Sequence, residues 1–138
     1  MIRVVIDTTV LVAAVISPEG PNAQIFDLIT ADKLRPYMTQ AIVDEYYRVF
    51  EYAHLKHLNK RRIAKLRGQI EDAGVVVKSA GRLRISEHDE DNRIYECALA
   101  AKADYIVTEN TKHFPKSHKY TKIVTARQLL KLMGTGQA

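Results

Sequence analysis

Cysteine is almost missing from this chain: Cys97 is the single one among 138 residues. An intrachain disulfide is therefore excluded, and zinc-ribbon spacing is absent as well. Long apolar runs are also lacking. No stretch approaches the roughly 20 apolar residues that cross a bilayer, so no membrane partner is expected. The opening residues 1–7 do not read as a signal peptide, because the apolar run meets an acid at Asp7 and no cleavage pattern follows. A cytoplasmic setting is the default expectation. The histidines, His54, His57, His88, His113 and His118, show no HExxH spacing, and no paired His or Cys competes for a softer metal. Repeats, low-complexity tracts and internal linkers are missing too. The expectation is one domain over residues 1–133 and a flexible tail over 134–138.

What is present is enough apolar material for one core, at 46% hydrophobic, and an excess of positive charge, with a net charge of +5. A chain of this length buries roughly two thirds of its unfolded surface. The basic balance favours polyanions as partners.

Hydrophobic patterning alternates between strand and helix from end to end. Residues 3–6 are a β-branched apolar run, a buried strand. Asp7, Thr8 and Thr9 can cap a helix over 10–16, which stops at the turn cluster 17–20. A second helix is predicted over 22–30. Residues 34–38 read as a strand, although Pro36 suits a central position poorly. Thr39 caps a helix whose apolar face is Ile42, Val43, Tyr46, Tyr47 and Phe50. A basic helix follows over 56–73, with Ile63, Leu66 and Ile70 as its stripe and Gly74 closing it. Residues 75–77 form a strand, 79–85 a loop, 91–102 an amphipathic helix, 104–108 a strand, 109–118 a polar loop, 123–125 the last strand and 126–133 the last helix. This order predicts an α/β fold with a parallel sheet covered by helices on both faces.

In such folds ligands sit beyond the carboxyl ends of the strands, where strand order reverses. Asp7 ends the first strand, Asp91 opens the long helix, and Thr108-Glu109-Asn110 ends the strand after it. Glu45 lies one to two turns into its helix and can face the same crevice. Gathered carboxylates repel and are costly to desolvate, and a divalent cation such as Mg²⁺ relieves both problems. On the residues alone, Asp7 and Asp91 read equally as helix-terminus acids. Asp44 is the rival of Glu45, about 100° round the helix.

Three stretches, taken in order, resemble the PIN-domain nuclease family: Val4 to Val12, Asp91 to Ala100, and Ala103 to Asn110. The closest resemblance is to the branch of toxin components of toxin–antitoxin modules, where a loop like Thr108 to Pro115 recurs. The resemblance covers essentially the whole chain. It implies a three-layer α/β/α fold with a five-stranded parallel sheet and a Mg²⁺- or Mn²⁺-dependent endoribonuclease. Asp7, Glu45 and Asp91 match the family's acidic residues. Asp7 and Asp91 would hold the ion, and Glu45 would orient its water shell or the attacking water. The family's fourth acid falls on Asn110, which offers a neutral oxygen and no charge. Thr8, Thr108, Glu109 and Asp89 are supporting candidates, and Thr9 stands where the family often has Asn. The resemblance also implies an RNA substrate, a cognate antitoxin and a homodimer.

Candidate nucleic-acid contacts are Lys112, His113, Arg61 and Arg62. The run Lys56, Lys60, Arg61, Arg62, Lys65 and Arg67 reads equally as a solvated helix face or a phosphate-contacting surface. Lys112, Lys116, Lys119 and Lys122 follow the strand 104–108, and Lys112 is the preferred backbone contact. His113 reads as a phosphate contact or as a structural partner of Phe114 and Pro115. His88, Asp89 and Glu90 read as a solvated lead into Asp91, and Glu96 as a surface or salt-bridging residue. Three alternatives stand beside the ribonuclease reading: a PIN-like module that binds nucleic acid without cutting, favoured by Asn110; a doubly wound phosphotransfer domain; and DNA rather than RNA as substrate, which composition does not separate. The second lacks the further acid or distinctive Lys it would need after Asp7.

Overall fold

The first strand, β1 (Ile2–Ile6), shows at once how the sheet is placed: Val4, Val5 and Ile6 are all fully buried. Consecutive strand residues point to opposite faces, so both faces of β1 are covered. In this computed structural model, which describes residues 1–79, 81–114 and 117–134, a five-stranded sheet runs in the order β3-β2-β1-β4-β5. The other strands are β2 (Leu34–Met38), β3 (Val75–Val76), β4 (Tyr105–Val107) and β5 (Lys122–Val124), and all four pairings are parallel. The chain builds outward from β1 to β2 and β3, then returns to the opposite side of β1 with β4. Strand order therefore reverses between β1 and β4.

Among the described residues, six α-helices cover the sheet: α1 (Thr8–Ile16), α2 (Pro21–Thr30), α3 (Gln40–Arg48), α4 (Lys60–Ala73), α5 (Asp89–Ala101) and α6 (Ala126–Leu132). One layer holds α5, packed on β1, β2 and β4, with α3 beside it; the other holds α2, packed on β2 and flanked by α1, α4 and α6. The result is a three-layer α/β/α fold around one hydrophobic cluster. Among the described residues no helix is long and apolar enough to cross a membrane.

Local chemistry fixes the boundaries and shifts several of those predicted. Helix α1 starts at Thr8, so the threonines lie inside its first turn rather than before it. Helix α3 is capped by Thr39 as predicted, but ends at Arg48; Phe50 falls in a 3₁₀ turn, and Tyr47 is exposed, with the Arg67 guanidinium 4.0 Å over its ring. Helix α4 begins only at Lys60, because the Asn59 side chain accepts from the Arg62 N–H (3.0 Å) and caps it there; part of the stretch before it forms a 3₁₀ turn, Ala53–Leu55. Helix α5 starts at Asp89, placing Asp91 inside its first turn. Helix α6 carries a full capping box between Thr125 and Gln128.

Strand β2 lies between β1 and β3, despite Pro36. The Pro36 carbonyl faces Gly74, on the side where β3 begins only at Val75. The absent proline N–H therefore costs no ladder bond.

Residues 77–79 and 81–88 link β3 to α5 without helix or strand. Two buried side chains of α5 hold this strap. The Glu96 carboxylate accepts from the Leu83 N–H (2.8 Å) and the Ser79 hydroxyl (3.3 Å). The Asn92 side-chain oxygen accepts from the N–H groups of Ile85 (2.9 Å) and Ser86 (2.8 Å). Glu96 is thus buried at the centre of the strap's hydrogen bonds rather than on the surface, and the salt-bridging alternative holds, since it pairs with Arg93 (2.7 Å).

Candidate active site

The carboxyl end of β1 and the facing sides of α3 and α5 enclose a crevice of about 110 Å³, lined by Asp7, Thr8, Ala41, Ile42, Glu45, Arg48, Glu90, Asp91, Arg93 and Ile94. Asp7, Glu45 and Asp91, far apart in sequence, are therefore brought together at the reversal point.

Asp7 occupies the N-cap position of α1 but makes no capping bond with its side chain. Its Oδ2 instead accepts from the hydroxyls of Thr9 (2.7 Å) and Thr108 (2.8 Å). Thr108 is fully buried just past β4, so its hydroxyl ties the ends of the two strands together through the carboxylate. The two threonine oxygens in turn accept from the backbone N–H groups of Glu109 and Asn110, both at 3.0 Å. This network fixes the rotamer of Asp7. Thr9, which replaces a common asparagine of the family, keeps a polar contact to it.

Glu45 owes its direction to its neighbour. Tyr46 is fully buried and its hydroxyl donates to the Ile6 carbonyl at 2.6 Å, pinning α3 against the end of β1. That turns Glu45 into the crevice, where it pairs with Arg48 at 2.5 Å. Asp44 points to the exposed side and accepts from Gln40 (2.9 Å), so the rival acid does not border the crevice.

Asp91 is the least satisfied of the three. Its Oδ2 is buried and lacks a hydrogen bond of good geometry; the nearest partner is Nδ1 of His113, at 3.3 Å. Burial first, and the charge of Asp7 second, push its carboxyl up to about 6 from 3.8, against the pull of His113 and His88. The rings of His88 and His113 stack with centroids 4.3 Å apart. His113 thus abuts Asp91. Its proximity to Asp91 was not legible in sequence, since 22 residues separate the two and only the fold brings them together.

The remaining candidates lie elsewhere. Thr8 borders the crevice. Asn110 and Glu109 sit on the rim through their backbone bonds to Thr108 and Thr9, outside the crevice lining. Asp89 is exposed and pairs with Arg93 (3.3 Å). Lys112 is exposed in the 3₁₀ turn Thr111–His113. Arg61 is exposed on α4, whereas Arg62 donates to the Ala14 carbonyl (3.1 Å) and packs α4 against α1. Lys122 opens β5 and so lies at the amino-terminal edge of the sheet, away from the crevice. Lys116 and residues 135–138 of the predicted tail lie outside the described residues.

Among the described residues, no three His, Cys, Asp or Glu side chains are close enough to form a complete metal cage. Mg²⁺ does not require one: it takes one or two carboxylates and keeps several waters. A crevice lined by four carboxylates, those of Asp7, Glu45, Glu90 and Asp91, of which Asp91 carries a buried oxygen without a hydrogen bond and a raised pKa, fits such a hydrated hard cation. It does not fit a soft one.

The PIN domain family profile matches residues 3–112. The chain belongs to the PIN domain family. An uncharacterized protein of Methanocaldococcus jannaschii is 29% identical over 125 residues, covering 88% of this chain and 81% of that protein. Among solved structures, a chain of DNA-bound VapBC from Salmonella typhimurium superposes with a TM-score of 0.59 at 16% identity, over 91% of this PIN domain and 99% of that chain. VapBC2 from Rickettsia felis, bound to a DNA fragment from its promoter, gives a TM-score of 0.58 at 13% identity, over 88% and 98% of the two chains. At these identities the likeness concerns the fold.

Proposed function

We propose that this PIN domain is a Mg²⁺- or Mn²⁺-dependent endoribonuclease acting as the toxin of a toxin–antitoxin pair. The observation that carries the reading is the meeting of Asp7, Glu45 and Asp91 at the strand-order reversal, with Asp91 left short of partners. Asp7 and Asp91 would hold the ion, Asn110 contributing a neutral oxygen from the rim. A bound divalent cation there would acidify a water and offset charge on a phosphodiester. The chain's own part is positional. Thr9 and Thr108 hold Asp7 in one rotamer, Tyr46 aims Glu45, and Glu45, paired with Arg48, would orient a water. VapBC neighbours favour an antitoxin encoded beside this protein, and a homodimer accords with the same branch of the family.

Labelled RNA incubated with Mg²⁺ or Mn²⁺, with and without chelator, tests the activity. Cleavage should require the ion, and Asp7→Asn should abolish it while leaving the circular dichroism spectrum unchanged. Metal-dependent cutting by a clean Asp7→Asn preparation would count against the assignment. A second reading rests on Asn110, which supplies no fourth negative charge: a PIN domain that binds RNA and does not cut it. Retention of RNA without products at any metal concentration would favour that reading.

A further inference from the structure

An acidic crevice repels the polyanion it is meant to cut, so a nuclease needs positive charge beside its carboxylates rather than among them. We propose that the strap between β3 and α5, with the groove beneath it, is the rail that delivers an RNA strand to the crevice, and that Lys78, Arg82 and Arg84 contact its phosphates. This rests on the nuclease reading above.

Continuity is the first argument. The groove is bordered by Gln40, Ala41, Val76, Lys78, Arg82 and Arg93, and it shares Ala41 and Arg93 with the crevice. A strand leaving the carboxylates toward β3 runs directly into it. Charge is the second. Lys78, Arg82 and Arg84 are exposed and form no ion pair among the described residues, whereas Arg93 is engaged by Glu96 (2.7 Å) and Asp89. The third is preorganisation. Arg82 and Arg84 alternate with Leu83 and Ile85, which pack against the core. The backbone between is fixed by Glu96 and Asn92, which are 2% and 3% exposed. Buried hydrogen bonds thus hold an irregular segment in one shape with its guanidinium groups outward, which lowers the ordering cost of binding.

The basic face of α4 is a weaker candidate. Arg62 is tied to Ala14, Arg67 lies over Tyr47, and the groove beside that helix shares no lining residue with the crevice.

The test measures binding in the Asp7→Asn background, so that no substrate is consumed. A fluorescein-labelled single-stranded RNA of mixed sequence is titrated by anisotropy over a series of KCl concentrations. Lys78→Ala/Arg82→Ala/Arg84→Ala should weaken affinity roughly 10- to 100-fold near 0.1 M salt and flatten the log–log salt slope by about 2, at about 0.7 per lost phosphate contact on a single strand. A control removing equal charge at the opposite edge of the sheet, Lys33→Ala/Arg35→Ala/Lys131→Ala, should leave the slope unchanged. With Asp7 intact, the strap variant should raise KM and largely preserve kcat. Unchanged affinity and slope in the strap variant overturn the proposal, as does an equal effect of the control. A change of oligomeric state without a change in RNA affinity assigns the groove to a second copy of the chain and also overturns it. Absence of any metal-dependent cutting by the unmodified protein defeats the nuclease reading instead, and the binding arm still decides the rail.

Discussion

Asp91 concentrates the energetic tension of the site in one side chain. Its folded-state carboxyl titrates at about 6, against 3.8 in the unfolded chain, so the folded state binds the proton more tightly. Stability from this group is complete below the unfolded value and is lost as pH rises through the folded one. About two units at 1.36 kcal/mol each would be on the order of 3 kcal/mol at full burial, and solvent screening on the open side of the crevice reduces the loss to about 1–2 kcal/mol for the metal-free protein. Urea unfolding at pH 4, 5 and 7 checks this: Asp91→Asn should gain on the unmodified chain as pH rises, and a constant difference would refute it. Asp7 contrasts with it, since Thr9 and Thr108 already satisfy one of its oxygens. Asp7 and Asp91 were visible as candidates from their places after a strand and at a helix start. The threonine pair was only partly so, because 99 residues separate Thr9 from Thr108 and their meeting depends on strand order.

At the scale of elements, Gly74 joins α4 to β3 where the helix end and β2 crowd together. A Cβ there would stand 2.5 Å from the Ile70 carbonyl and 3.2 Å from that of Pro36, besides striking the Met38 side chain. Gly74→Ala should therefore destabilise the fold by about 1–3 kcal/mol, read as a lower urea midpoint at unchanged slope. The sequence pattern identified the six α-helices and five strands of the described residues in order, because each is an apolar run or an apolar stripe bounded by polar or turn residues. It misplaced the start of α4, where a polar side chain, that of Asn59, decides the boundary. It also read the strap as plain loop. Its order comes from Asn92 and Glu96 on a neighbouring helix, and no local pattern of residues 79–85 encodes that.

For the molecule as a whole, the reversal of strand order makes the fold and the site one object, so occupancy of the crevice should register in global stability. With a hundredfold excess of Mn²⁺ over its dissociation constant, linkage adds about 2.7 kcal/mol, a rise of roughly 5–10 °C in Tm for a domain of this size. The rise should be present at pH 7, shrink at pH 5 where protons compete for Asp91, and vanish in Asp7→Asn. An equal rise in that variant would show the ion binding elsewhere. The two border strands carry a separate consequence. β3 has two residues and β5 three, so neither flank exposes a row of unpaired amides long enough to recruit a foreign strand. Fibrillar stacking is thereby discouraged, and whatever docks on this protein must recognise it by side chains rather than by borrowing its ladder.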